Sequence, residues 1–225
     1  MGNETPSGDM MPRVLSTLMF AVISLLLAGC SKDSGPGLEI HDTKYTAIGV
    51  DGNQIPTDTG SWPCALDQYT GLMWEVKTDE PGLHDWRNTY TWYNPEESNE
   101  PGGLDYRGAV DGGECTGSGC DTWSYVSAVN ATGHCGHHDW RIPLRDELAS
   151  ISDLRKTDAP PTTNMQYFPN TQAGEYWTSN DYHFQFDAAW AWNFGYGHDR
   201  VDWKKIPKPV RLVRGKALHL SRTKD

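Results

Sequence analysis

Asp139-Trp140-Arg141-Ile142-Pro143-Leu144-Arg145-Asp146-Glu147-Leu148-Ala149-Ser150-Ile151-Ser152-Asp153-Leu154 decides how this chain folds. Pro143 suits a first helical turn, where its missing N–H costs nothing. Beyond it, Leu144, Leu148, Ile151 and Leu154 recur at intervals of three and four, the spacing of a helix face against a core. The stretch predicts a helix from near Pro143 to about Leu154. Another helix precedes it. Asp121 is an N-cap for Thr122 to about Ala131, Tyr125, Val126 and Val129 form its apolar stripe, and Gly133 stops it. Pro160-Pro161 closes the helical part of the chain.

Outward from these helices the pattern turns to strands. Upstream, Tyr45 to Val50 reads as a strand running into an Asp51-Gly52-Asn53 turn, and Leu72 to Val76 as another, reached through Thr70-Gly71. Residues 78–120 are rich in Gly, Pro, Asn and Asp and read as one long loop anchored by Trp86, Tyr90, Trp92, Tyr93 and Tyr106. A loop of that length in a compact domain is functional or pinned. Downstream, Tyr176 to Ser179 is a short strand. From Ala188 to Phe194, alternation puts Ala188, Trp190, Trp192 and Phe194 on one face and Ala189, Ala191 and Asn193 on the other. Gly195 to His198 turns the chain, Val201 to Trp203 returns, and Val210 to Val213 is last. Pro207 and Pro209 belong at an edge or in a connection. Two helices between short strands and long loops make the class α+β.

The chain has 225 residues, with 10 Trp, 23 Gly and 14 Pro, too aromatic for disorder and too turn-rich for a helical bundle. Its net charge of −11 argues against nucleic acid as a partner.

The first residues read as a leader. Arg13 precedes an apolar run from Val14 to Leu27, too short to span a bilayer and suited to a signal peptide. Met10 or Met11 is an alternative start. The run ends Leu27-Ala28-Gly29-Cys30, which resembles a bacterial lipoprotein signal, so residues 1–29 would be removed and Cys30 would carry the lipid. The plainer alternative is a secretory signal with a chance cysteine. Ser31 follows where Asp would argue for inner-membrane retention, so the resemblance points to the outer membrane, with its periplasmic or surface face left open. Residues 30–37 form a polar tether, 38–215 one domain and 216–225 a tail.

With Cys30 acylated, Cys64, Cys115, Cys120 and Cys135 remain, an even number that reads as two disulfides in an exported chain. Three pairings exist. Thr116-Gly117-Ser118-Gly119 between Cys115 and Cys120 can close on itself, and the pairing expected is 115–120 with 64–135. The rival, a metal site at Cys115 and Cys120, lacks a second thiol pair at matching spacing.

Several segments in order carry a family resemblance: Asp67 to Glu75, Thr91-Trp92-Tyr93, Cys120-Asp121-Thr122 with Tyr125-Val126 and Ala128-Val129-Asn130, Cys135-Gly136 with Asp139 to Pro143 and Asp146-Glu147-Leu148, Tyr176 to Ser179, and Val210 to Gly215. Together, over roughly residues 60–215, they resemble the C-terminal domain of the bacterial collagen-like adhesin Lcl. The resemblance implies a C-type-lectin-like α+β fold, a cell-surface or periplasmic setting, and adhesion through sulfated polysaccharide. Three departures stand out. Leu144 replaces a helix-capping Thr, Leu212 replaces a frequent Cys, and no Gly-X-Y tract precedes the domain here.

Most of these motif residues read as structural. Trp74 and Trp140 fill a small core, and Arg141 pairs with Glu75 or Glu147. The ligand candidates are Trp177, Asn180, Asp181, Tyr182, Asp199, Arg200 and Trp203, near Trp190, Trp192, His183 and His198. A flat indole gives a sugar ring contact area at low entropy cost, while amides, carboxylates and guanidinium fix orientation. The competing assignment puts these tryptophans in the core. Arg200, Lys204, Lys205, Lys208, Arg211 and Arg214 form either an anion-binding stripe or, as the favoured reading, the partners of acidic loops.

His134, His137, His138 and Asp139 offer metal ligands without a third at defined spacing. No resident cofactor or metal is expected; a loose Ca²⁺ site in the acidic 94–105 loop (Glu96, Glu97, Glu100, Asp105) is left open. No Gly-x-Ser-x-Gly, His-Glu-x-x-His or P-loop pattern occurs, and the lectin-like formylglycine-generating class needs free cysteines, so no enzyme is expected. The expected function is a lipid-anchored envelope protein, membrane-bound through its anchor, that binds glycan or polysaccharide. The alternative is an assembly lipoprotein that binds another envelope protein.

Overall fold

A computed structural model describes residues 44–97 and 103–218. The leader, Cys30, the tether, Glu100 and the end of the tail lie outside the described residues. Among those described, no helix is long and apolar enough to cross a membrane.

The fold is α+β. Strands β1 (Tyr45–Ile48), β2 (Cys64–Asp67) and β3 (Met73–Glu75) are followed by helices α1 (Thr122–Thr132) and α2 (Arg145–Ser150), then by β4 (Glu175–Asp181), β5 (Ala188–Asn193), β6 (His198–Trp203) and β7 (Val213–Arg214). Two antiparallel sheets result, one ordered β1-β2-β3-β7 and the other β4-β5-β6. Strand β7 returns to β3, pairing Trp74 with Val213, so the end of the domain closes on its beginning.

Strands β2, β3 and β5 are buried on both faces, whereas β6 is an exposed edge. One apolar cluster holds Ala65, Trp74, Trp192 and Phe194, with Leu148 and Ile151 near α2; the other holds Cys64, Met73, Ala189 and Ala191, with Tyr125 and Val129 of α1. The two faces of β5 are those the alternation assigns, and both are covered: Trp192 and Phe194 belong to the first cluster, and Ala189 and Ala191 to the second, which also holds Trp92 and Trp177.

Helix α1 matches its sequence signals. Asp121 Oδ1 accepts from Ser124 N at 2.8 Å, and Gly133, at φ 78°, ends the helix with its N–H on Val129 O. Helix α2 is shorter than the leucine spacing predicts. The backbone at Ser152 and Asp153 pairs with Thr163 and Thr162, ending the helix and leaving Leu154 60% exposed on a separate 3₁₀ turn, Leu154–Lys156. The missing cap at Leu144 is supplied from elsewhere: Asn180 Oδ1 accepts from Arg145 N at 2.8 Å, and Glu147 Oε2 accepts from Leu144 N at 2.8 Å.

The two disulfides are Cys64–Cys135 and Cys115–Cys120, the expected pairing. Strand β2 carried no separate sequence signal. The long loop is tied down by bridges that pair Tyr90 with Lys208, Tyr93 with Gly108 and Thr89 with Glu114.

Candidate functional site

The family motif builds a buried polar centre. Glu75 is fully buried, and its Oε1 meets Lys77 Nζ at 3.0 Å, His84 Nδ1 at 2.8 Å and the Tyr125 hydroxyl. Its Oε2 accepts from Leu212 N, and its carbonyl accepts from Arg211 Nη1 at 2.7 Å. Burial pushes the Glu75 carboxyl up, but Lys77 and His84 outweigh it and hold the group well below the usual carboxylate range. Burial also drives the Lys77 ammonium below its ordinary value. Arg141 goes to Glu147, with two bonds of 2.7 Å, and not to Glu75. These contacts are internal: they satisfy buried charges that would otherwise destabilise the core.

The predicted ligand residues separate. Trp177 has no exposed surface and donates its indole N–H to Tyr90 O, so it belongs to the core and offers no face to a ligand. Asn180 is committed to capping α2. The Asp181 carboxylate is buried against Lys204, with His183 Nδ1 at 3.2 Å. Strand register puts Asp199, Val201 and Trp203 opposite Trp192, Trp190 and Ala188, while Arg200 opposes Ala191 on the other face. Tyr182 and Asp199 do gather around Trp190. Tyr182 meets that ring edge-on at 5.5 Å, and the Arg145 guanidinium lies 4.6 Å over it while bonding Asp199 at 3.0 Å.

Most of the basic stripe is internally paired, as favoured from the sequence, while Lys205 is exposed. Lys208 Nζ lies 2.6 Å from both Glu175 and Asp202, Arg214 bonds Asp139 at 2.7 Å, and Arg211 is fully buried. Arg200 has Glu175 at 3.8 Å. Among the described residues, the trio able to offer a metal three nearby ligands is Cys64, His134 and Cys135, but its two sulfurs are bonded to each other. His134 turns inward to Pro63 O and stacks on His84 at 3.9 Å, while His138 bonds Asn130 O. In the acidic loop, Arg107 grips Asp105 through two bonds and holds its carboxyl at about 2.

Concave surface lies beside these residues. A groove of about 340 Å³ is lined by Trp92, Trp123, Val126, Ile142 and Leu144, with Tyr93, Asn94, Glu96, Arg141 and Ser179 as polar groups. Its size falls in the range of small-molecule sites. Trp123 is 40% exposed there, on the first turn of α1. A second cavity of about 270 Å³ is lined by Trp203, Phe186, Asp105, Asp187 and Lys205, with Gly108, Ala109 and Lys204. Trp203 is 43% exposed. Sequence reasoning found Trp203 but missed Trp123, which lies outside the Tyr125, Val126 and Val129 stripe read from the sequence although it shares the groove with Val126; its exposure beside an aromatic loop is a tertiary property.

The family model of the Lcl C-terminal domain matches residues 63–214. The chain belongs to the Lcl C-terminal domain family. No match to a curated protein was found. The matched stretch begins just before Cys64 and ends at β7, so the Lcl C-terminal domain here includes both disulfides, both cavities and the Glu75 centre.

Proposed function

We propose that this chain is a non-catalytic, adhesin-like module that binds saccharide at the Trp123 groove. The observation that carries it is the half-exposed indole of Trp123 facing a groove with Tyr93, Asn94 and Glu96 on its rim. Flat aromatic surface beside short polar groups suits a ring with apolar faces and peripheral hydroxyls. Two helices packed with small antiparallel sheets, and a long loop tied down by backbone bridges, support a C-type-lectin-like fold for the 38–215 domain. Both cysteine pairs among the described residues are disulfides, which supports a non-catalytic role.

The setting follows from the leader. Lipid on Cys30, after removal of residues 1–29, would tether the domain to the outer membrane through residues 30–37. Radiolabelled palmitate should enter the wild-type protein and not Cys30→Ala; equal labelling would contradict the anchor. A glycan array probed with the full-length protein in mild detergent tests the binding reading. Saturable binding to at least one polysaccharide is expected, and a blank array would overturn it. An envelope protein recovered in its place would favour the assembly role.

A further inference from the structure

We infer that strand β6 pairs with β6 of a second copy of this chain. The two strands run antiparallel about a twofold axis at Val201, so that two β4-β5-β6 sheets become one across a dimer. The inference stands apart from the saccharide reading.

The edge is open. Strand β6 ends the order β4-β5-β6, and His198, Arg200, Val201 and Trp203 are exposed along it. Register shows which backbone groups it offers. Lys204 N donates to Asp187 O at 2.8 Å, one step beyond the pair of Ala188 with Trp203. Bonded positions alternate along an antiparallel ladder. Arg200 and Asp202 therefore turn their N–H and carbonyl groups toward β5, while Asp199, Val201 and Trp203 turn theirs away. Some outward groups are closed locally. Asp202 Oδ1 accepts from Trp203 N at 2.8 Å, Trp203 O accepts from Ile206 N at 2.9 Å, and the His198 ring lies 3.0 Å from Asp199 O. Val201 keeps both its N–H and its carbonyl without a partner among the described residues. An exposed edge with unpaired groups is a template for another strand.

Charge fixes the register, and with it the occupant. An axis that passes through a residue sets outward groups against outward groups. With the axis at Val201, the two Val201 residues exchange both backbone bonds. Arg200 of each copy then faces Asp202 of the other, at positions where Cα atoms lie about 4.5 Å apart. An axis at Asp199, Arg200 or Asp202 sets that charge against itself, which destabilises a strand pair. An axis at Trp203 meets an N–H and a carbonyl that are already bonded. The Arg200 side chain is 55% exposed, with Glu175 at 3.8 Å, and Asp202 remains partly exposed beside Lys208. On the opposite face, Val201 and Trp203 add exposed apolar surface. One edge strand buries little area, so the dimer belongs to the weak, transient class. It brings two Trp123 grooves into one particle, which raises the avidity for any ligand long enough to reach both.

Sedimentation velocity of the full-length protein in density-matched detergent, from about 1 to 200 µM at near-physiological salt, tests this. A monomer–dimer equilibrium is expected. Arg200→Glu and Asp202→Lys each set like charges across the axis and should weaken it about tenfold or more. An equal mixture of the two variants restores both opposite-charge pairs and should dimerise as wild type does. Unfolding midpoints near wild type show that the variants fold. Amide exchange of wild type supplies a readout free of substitutions: protection at Val201 should rise with protein concentration. Wild type that stays monomeric, a trimer as the end state, a mixture no better than its components, or Val201 exchange independent of concentration would each overturn the inference and leave the saccharide reading standing.

Discussion

The ammonium of Lys204 sits 4.4 Å from the centre of the Trp92 indole while pairing with the buried carboxylate of Asp181. It also donates to the carbonyls of Tyr106 and Phe186, the latter at 2.9 Å. One cation thus fastens the end of β4, the end of β6 and two loops around the cavities. Carboxylate and carbonyl oxygens converging on one point are what a Ca²⁺ ion would require. Here an ammonium fills that place.

Removing it should be expensive. Lys204→Met leaves the buried Asp181 charge with only the exposed His183 ring beside it, and we expect a loss of about 3–5 kcal/mol in urea unfolding. Adding Asp181→Leu should recover most of that loss, since an apolar pair of similar size needs no charge compensation. Because the loops are held by Lys204, EDTA should change neither the unfolding midpoint nor saccharide affinity. A drop in both on chelation would show that a metal does this work.

Asn180 distinguishes capping from ligand contact. Its side chain accepts from Arg145 N at the start of α2. Asn180→Ala should cost about 1 kcal/mol of stability and leave saccharide affinity unchanged. An affinity loss with unchanged stability would return Asn180 to the ligand site.

The two disulfides should differ in what they contribute. Cys64 and Cys135 are 71 residues apart, and Cys115 and Cys120 are 5 apart. Chain-entropy arguments give about 4 kcal/mol for the long loop and about 2 for the short one. Paired Cys→Ala variants compared by denaturant unfolding should show that order, and the reverse order would contradict it.

Acid should weaken the fold in two stages. Burial, helped by His84, lowers the His134 imidazole to about 4, whereas an unfolded histidine titrates at about 6.5. Between those values the unfolded chain binds a proton that the folded chain excludes. Stability is therefore held above about 6.5 and falls as the pH drops toward 4, with a slope approaching about 1.4 kcal/mol per pH unit. Glu75, held well below its ordinary 4.5, adds a further loss as the pH falls below that value. Denaturant unfolding from pH 7 to 3 should show both stages, and His134→Gln should flatten the first and leave the second.

The sequence made some of this legible because certain signals are local. Asp121 and Gly133 bracket α1 with residues that need no distant partner, and the even cysteine count limits the pairings. Other features depend on residues far apart in the chain. The cap of α2 comes from Asn180, 35 residues downstream, so the missing Thr before that helix could be noticed but its replacement could not be named. Trp177, placed beside Asn180 and Asp181, has the composition of a loop ligand, yet its register with Ala191 puts it inside. Trp123 shows the converse. It carries no sequence pattern of a binding residue, and only the packing of the 91–96 segment against α1 makes it the side of a groove. Lys204 and Lys208 read as partners of acidic loops, but which carboxylates they meet depends on the fold.

The most direct test of the account is the affinity of full-length protein and of Trp123→Ala for the polysaccharide that gives the strongest array signal, measured alongside the unfolding midpoint of each. We expect saturable binding by wild type, weakened about tenfold or more in the variant, with the two midpoints close together. Equal affinity in the two proteins, or no polysaccharide that binds wild type, would contradict the assignment of the Trp123 groove as a saccharide site.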